Sequence, residues 1–227
     1  MCTLTWRTED GLEVFFNRDE LKTRSRAEPP REFMTPSGSR YLSPIDPDAG
    51  GTWMLANEHG IVLCLLNRWH EQTSQPFPKS RGRIVTELAD SKGLLQVKET
   101  LSSLCPGARP FDLVAFEGIE ALGFSWDGNQ LTPFQPQMPL TSSSYKFEEV
   151  RQSRQEAFRP SVTLEQYQSS QGQDCTAHTV RMNRPDAQTW SRTVLKVLPN
   201  EIRWDYWEEF PDLAKEPALH QTKLGSS

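Results

Sequence analysis

Ile61-Val62-Leu63-Cys64-Leu65-Leu66 is an unbroken run of six apolar residues, set between the turn-forming Asn57-Glu58-His59-Gly60 and Asn67. Six apolar residues with no polar alternation read as a strand covered on both faces. Such a strand needs packed layers above and below it, so the chain must supply at least two further layers. Just upstream, Asp46-Pro47-Asp48-Ala49-Gly50-Gly51 is a strong turn that opens a strand over residues 52–56. Nearer the N-terminus, Cys2, Leu4 and Trp6 alternate with Thr3, Thr5 and Arg7, the period of a half-buried strand. Glu9-Asp10-Gly11 turns this strand into a second one over residues 12–16, and Asn17-Arg18-Asp19-Glu20 follows it. Residues 22–40 carry Pro29, Pro30 and Pro36 and read as a loop.

Downstream of the apolar run, helix signals cover residues 83–89 and 93–104, the second stopped by Pro106-Gly107. Strands are expected at 112–116, 121–126 and 131–134, with an Asp127-Gly128 turn between the last two. A helix at 145–158 ends before Pro160, and strands at 177–183, 189–198 and 202–208 close the pattern. Strands, helices, strands, helix, strands is an α+β order. Two mostly antiparallel sheets packed face to face, with helices outside, satisfy both the order and the doubly covered run. No repeat or Gly/Ser linker divides the chain, so one domain is expected over residues 1–210. Residues 211–227 then form a polar tail that frays.

Composition limits the function classes. Hydrophobic residues are only 36% of the 227, yet 7 Trp and 11 Phe bring enough burial to argue against disorder. A net charge of −5 argues against nucleic acid or an anionic membrane as partner. No run approaches the ~18 apolar residues of a membrane span, and Met1 to Arg7 lacks the apolar core of a signal peptide. Cys2, Cys64, Cys105 and Cys175 are widely spaced, as expected of a protein kept reduced in the cytoplasm. The four histidines make no ligand cluster, and phosphate loops and zinc or serine-hydrolase motifs are absent, so no metal or cofactor is expected.

Cys2 is the most informative residue. Removal of Met1, favoured by a small second residue, would leave a cysteine whose own α-amine, with an ordinary pKa of about 7.7–8, can act as base for its thiol. A second-position cysteine alone specifies nothing, but Arg18 sits where hairpin pairing can bring a guanidinium beside it and favour the thiolate. Read locally, Asn17 to Glu20 is equally an ordinary charged turn. Asp19 can orient the α-amine or pair with Arg18, and Glu20 is expected to face solvent. Asn67 ends the apolar strand, where its amide can hold an oxyanion or simply turn the chain. Trp53 can wall the cleft or pack beneath it. Late in the chain, His178 and Arg181 can reach a substrate carboxylate or lie on a sheet surface; the Cys175-x-x-His178 spacing lacks the second pair a metal needs.

Met1-Cys2-Thr3-Leu4, Asn17-Arg18-Asp19-Glu20, Gly50-Gly51-Thr52-Trp53, Leu66-Asn67-Arg68 and Ser80-Arg81-Gly82 together resemble the NRDE family, also named for transport and Golgi organisation. The likeness is specific over roughly residues 1–90 and looser beyond. That family is similar to the N-terminal-nucleophile cysteine acylases, which act on linear amides. The resemblance implies a four-layer αββα sandwich, Cys2 as nucleophile after Met1 removal, Arg18 beside it and Asn67 in the oxyanion hole. Trp53, Arg68, Arg81, Ser142, Ser143, His178 and Arg181 are the substrate-binding candidates. Where the acylases carry Thr-Asn-Ser, this chain has Thr141-Ser142-Ser143, so an amide near the nucleophile is replaced by a hydroxyl. The resemblance also implies a second possibility, a cleft that carries haem or an acyl-CoA without cleaving it. Either way the expected partner is a small amide or acyl compound.

Overall fold

A computed structural model describes residues 1–68, 77–171, 176–209 and 217–225. Six strands form one antiparallel sheet: β1 (Cys2–Arg7), β2 (Leu12–Leu21), β10 (Leu140–Ser142), β11 (Ala187–Leu198), β12 (Glu201–Glu208) and β13 (Ala218–Gly225), in the order β10-β1-β2-β11-β12-β13. The other seven form a second antiparallel sheet in chain order: β3 (Glu28–Met34), β4 (Arg40–Ile45), β5 (Met54–Asn57), β6 (Ile61–Asn67), β7 (Phe111–Glu117), β8 (Glu120–Trp126) and β9 (Leu131–Phe134). Four helices are α1 (Arg81–Glu87), α2 (Leu94–Leu104), α3 (Phe147–Ala157) and α4 (Leu164–Ser169).

β6 explains the stacking. Val62, Cys64 and Leu66 join Leu4, Phe16, Leu195 and Trp204 in the core between the sheets. Ile61, Leu63 and Leu65 join Ile84, Val85, Val97 and Leu101 of α1 and α2 in a second core. The six-residue run is therefore buried on both faces, as its composition requires. Each such side chain contributes about 1.5–3 kcal/mol of burial, so the run is a major anchor of both cores.

The far face of the first sheet is covered by different chemistry. Thr3, Asn17 and Asp19 are buried there under α3 and α4. Arg154 of α3 donates to Thr3 Oγ1 at 2.5 Å and Asp19 Oδ2 at 3.0 Å, and Asn17 Nδ2 donates to the Gln168 carbonyl at 2.9 Å. This cover is polar where the two cores are apolar, which suits a chain lean in hydrophobic residues.

Several expectations change. Asn17 to Glu20 lie inside β2, not beyond it, because β2 pairs with β11 as far as Leu21. Residues 28–34, expected as loop, form β3 despite two prolines, which an edge strand tolerates. Residues 177–183, expected as a strand, are turns and bends over 177–181 and reach the sheet only through an isolated bridge from Asn183 to Gln188. Residues 218–225, expected in the fraying tail, pair with β12 and bury Leu224. Helix α4 was not expected; it opens at Thr163-x-x-Gln166, whose side chains form a reciprocal capping box.

Candidate active site

The antiparallel register places Cys2 directly opposite Ser142 on one side and Arg18 on the other. Directly paired residues project to the same face, so the thiol, the hydroxyl and the guanidinium form one row, each about 5–6% exposed. Arg18 stacks over the Trp53 ring at 4.3 Å from its centroid and lies 3.5 Å from Glu20 and 3.6 Å from Asp46. Glu20 therefore faces the site rather than solvent. Arg18 Nη1, Trp53 Nε1 and Ser142 Oγ are all buried without a hydrogen-bond partner among the described residues. Buried polar atoms are rarely left so, and their gathering around one thiol marks a place built for a ligand.

Burial pushes the Cys2 thiol above its ordinary value; the N-terminal ammonium and Arg18 oppose this, while Asp19 adds to it. A neutral thiol in this setting needs a base. Met1 currently occupies the end of β1: its amine donates to the Asp19 carbonyl at 2.9 Å, its carbonyl accepts from the Asp19 amide at 2.8 Å, and its sulfur accepts from Ser143 Oγ at 2.8 Å. Since Met1 bonds towards β2, ladder alternation turns the Cys2 main chain towards β10.

A cavity of about 520 Å3 opens over Cys2 and Arg18, lined also by Trp53, Asn67 and Arg81 among others. A second cavity of about 460 Å3, walled by Phe134, Leu140 and Phe147, also contains Arg68 and Ser142, and Asn67 borders both. The glycine motifs set the first cavity's wall. A Cβ on Gly51 would stand 2.4 Å from the Gly82 carbonyl carbon, so the Gly-Gly-Thr-Trp turn and the Ser-Arg-Gly start of α1 meet backbone to backbone. Gly51→Ala is expected to cost about 3 kcal/mol, read as a lowered urea midpoint, because no side-chain rotation can relieve the clash. An unchanged midpoint would mean the two segments can separate freely.

Other candidates lie elsewhere. Asp19 also borders the cavity, but its carboxylate pairs with Arg154 at 3.0 Å and accepts from Thr189 Oγ1 at 2.6 Å, rather than pairing with Arg18. Adjacent strand residues face opposite sides, so Arg18 and Asp19 cannot both look at Cys2. His178 meets Ser153 Oγ at 3.1 Å, and Arg181 pairs with Glu209; neither lines either cavity. The reason is that their loop is drawn to the α3 side, where the Ala177 carbonyl accepts from Arg154. Ser143 is engaged with Met1 and the Tyr145 carbonyl, and Cys175 lies outside the described residues. Arg24, Lys79 and Arg109 complete the first cavity and were not singled out in the sequence, where nothing local ties them to Cys2. Among the described residues no group of His, Cys, Asp or Glu is placed to hold a metal, and no helix is long and apolar enough to cross a membrane.

A protein-family model described as transport and Golgi organisation 2 matches residues 1–199. The chain belongs to that family. No curated protein matches it. Among solved structures, this family member is similar to a mutant of the conjugated bile acid hydrolase of Clostridium perfringens, at 14% identity and a TM-score of 0.57, covering 98% of this chain and 92% of that one. A variant of the same hydrolase gives 13% identity and a TM-score of 0.58 with the same coverage. An N-acylethanolamine-hydrolyzing acid amidase ortholog of Caenorhabditis elegans gives 11% and 0.57, covering 88% of this chain and 94% of that one. At these identities the likeness is one of fold: that of the N-terminal-nucleophile hydrolases.

Proposed function

We propose that the protein is a cofactor-independent N-terminal-cysteine hydrolase of linear amides. Once Met1 is removed, the Cys2 α-amine takes the thiol proton, the sulfur attacks the carbonyl carbon, and the Asn67 amide holds the resulting oxyanion. The C–N bond then breaks, the α-amine gives its proton to the leaving nitrogen, and water hydrolyses the acyl-thioester. Arg18 favours negative charge on sulfur, and Trp53 holds Arg18 in place. The observation that carries this reading is the row Ser142–Cys2–Arg18, with Cys2 and Arg18 lining one cavity and Ser142 the next, and unpartnered polar atoms around the thiol. In the same reading, α1 with α2 and α3 with α4 are the outer layers of a four-layer αββα sandwich. The free thiols Cys2, Cys64 and Cys105 fit a reducing, cytoplasmic setting.

The short Ser142 hydroxyl opposite Cys2, where the acylases have an amide, favours a second reading: a cleft that binds haem or an acyl-CoA without cleaving it. Intact mass combined with thiol-probe mapping separates the two. Burial pushes Cys64 well above its ordinary value and Cys105 up to about 11, so both should react slowly. Hydrolysis requires a chain lacking Met1 whose Cys2 is labelled first. Retained Met1 in fully active protein, or a Cys2 no faster than Cys64, sinks the hydrolase.

A further inference from the structure

We infer that Arg81 and Arg109 form an anion subsite for the leaving group, so that the substrate is an acyl chain joined through its scissile bond to a carboxylate- or phosphate-bearing group. The inference rests on the hydrolase reading for which end of the substrate lies where, and on the two cavities for its chemistry. The chain carries a net charge of −5, yet the cavity over Cys2 gathers five cationic side chains. Three are already matched: Arg18 by Glu20 and Asp46, Arg24 by Asp46 and Asp48, and Lys79 by Glu87. Arg81 and Arg109 are different. Among the described residues neither has a carboxylate within ion-pairing distance; Arg81 donates to the Pro110 carbonyl at 3.0 Å, and Arg109 lies 5.9 Å from the Phe77 ring centroid.

Arg81 and Arg109 face one cavity and repel each other, neither held in an ion pair among the described residues although Glu20 acts on Arg81 through space, and burial adds to the cost at Arg81. Burial and neighbouring Arg109 pull Arg81 down to about 10 against the opposing charge of Glu20, which still leaves it cationic at physiological pH. An anion between the two guanidiniums removes that repulsion and takes paired hydrogen bonds from planar donors. The buried, unpartnered Arg18 Nη1 in the same cavity, on the residue paired with Cys2, provides a further donor. Across Asn67 the second cavity is of opposite character, walled by Phe134, Leu140 and Phe147, and is suited to an apolar acyl chain. Asn67, bordering both, stands where the junction between chain and anionic group would lie.

The test uses binding, so that it does not depend on turnover. Cys2→Ala protein is titrated calorimetrically with N-lauroylglycine, N-lauroylphosphoethanolamine and neutral N-lauroylethanolamine. At least one anionic probe is expected to bind about tenfold or more tighter than the neutral one, and which of them does so separates carboxylate from phosphate recognition. Added salt should shrink the difference. Arg109→Gln, at an exposed position that the fold does not depend on, should reduce the preference to about twofold, as should Arg81→Gln, while Arg81→Lys retains part of it. Equal affinity for charged and neutral probes, no binding of any probe, or a preference untouched by Arg109→Gln would each overturn the subsite. If the preference holds but the unsubstituted protein hydrolyses none of the probes, the hydrolase reading fails and the anion subsite stands.

Discussion

Cys2→Ala is expected to lower amide turnover by about 10^4-fold or more, since removal of a nucleophile leaves only binding and oxyanion stabilisation. Cys2→Ser should retain a trace at most, because a hydroxyl is a far weaker nucleophile with the same base. A chain extended at its N-terminus by an uncleaved tag should be as inactive as Cys2→Ala, although it keeps the thiol. Its β1 end would be held as Met1 is now, paired to Asp19, and no α-amine would be available to Cys2. The pH dependence follows from the same geometry. Burial pushes the Cys2 thiol up, so it is protonated near neutrality and depends on the amine to accept its proton. An α-amine accepts only when neutral, so kcat/KM should rise with pH through about 8 and fall away below it. Steady-state rates of the unsubstituted protein and of these three variants across pH 5–9 decide the matter. Undiminished turnover in Cys2→Ala, or full activity in the tagged chain, would remove Cys2 from the chemistry.

Arg154→Ala should be the most damaging single change to stability outside the cores, by about 3–5 kcal/mol. Arg154 and Asp19 have side chains fully shielded from solvent and lie 3.0 Å apart. Removing the arginine leaves a carboxylate buried with Thr189 as its remaining side-chain partner, and strips Thr3 of its donor. The double change Arg154→Met with Asp19→Asn leaves no buried charge and should recover most of the loss. Urea midpoints at constant m-value measure this, and a single-variant midpoint near that of the unsubstituted chain would show that the pair contributes little. Activity distinguishes Asp19's roles further. If Asp19 only anchors β2, the double variant keeps turnover; a catalytic aspartate would abolish it.

Much of the site was written locally. Cys2, Arg18, Trp53, Asn67 and Arg81 were all marked by short motifs, and all five line one cavity. Asp19 borders the same cavity, but its carboxylate turns away to Arg154, which reading its run as following a strand does not reveal. Taken as strand, the two-residue period sends Arg18 and Asp19 to opposite faces at once. His178 and Arg181 were misread for a different reason: irregular chain carries no periodicity, and the Ala177 carbonyl bonded to Arg154 holds that loop behind the sheet.

Sequence by itself determined the layered architecture and the nucleophile candidate. Six apolar residues at 61–66 demand cover on both faces, and alternation at 2–7 demands one buried face, whatever the rest of the chain does. Only the tertiary structure decided what surrounds Cys2. Ser142 reaches it through β10, Arg109 through the segment between α2 and β7, and Gly51 meets Gly82 across the cavity wall. Periodicity reports which side of its own strand a residue occupies. Which distant segment lies opposite is set by ladder register and backbone contact between remote parts of the chain, and those leave no mark in local sequence.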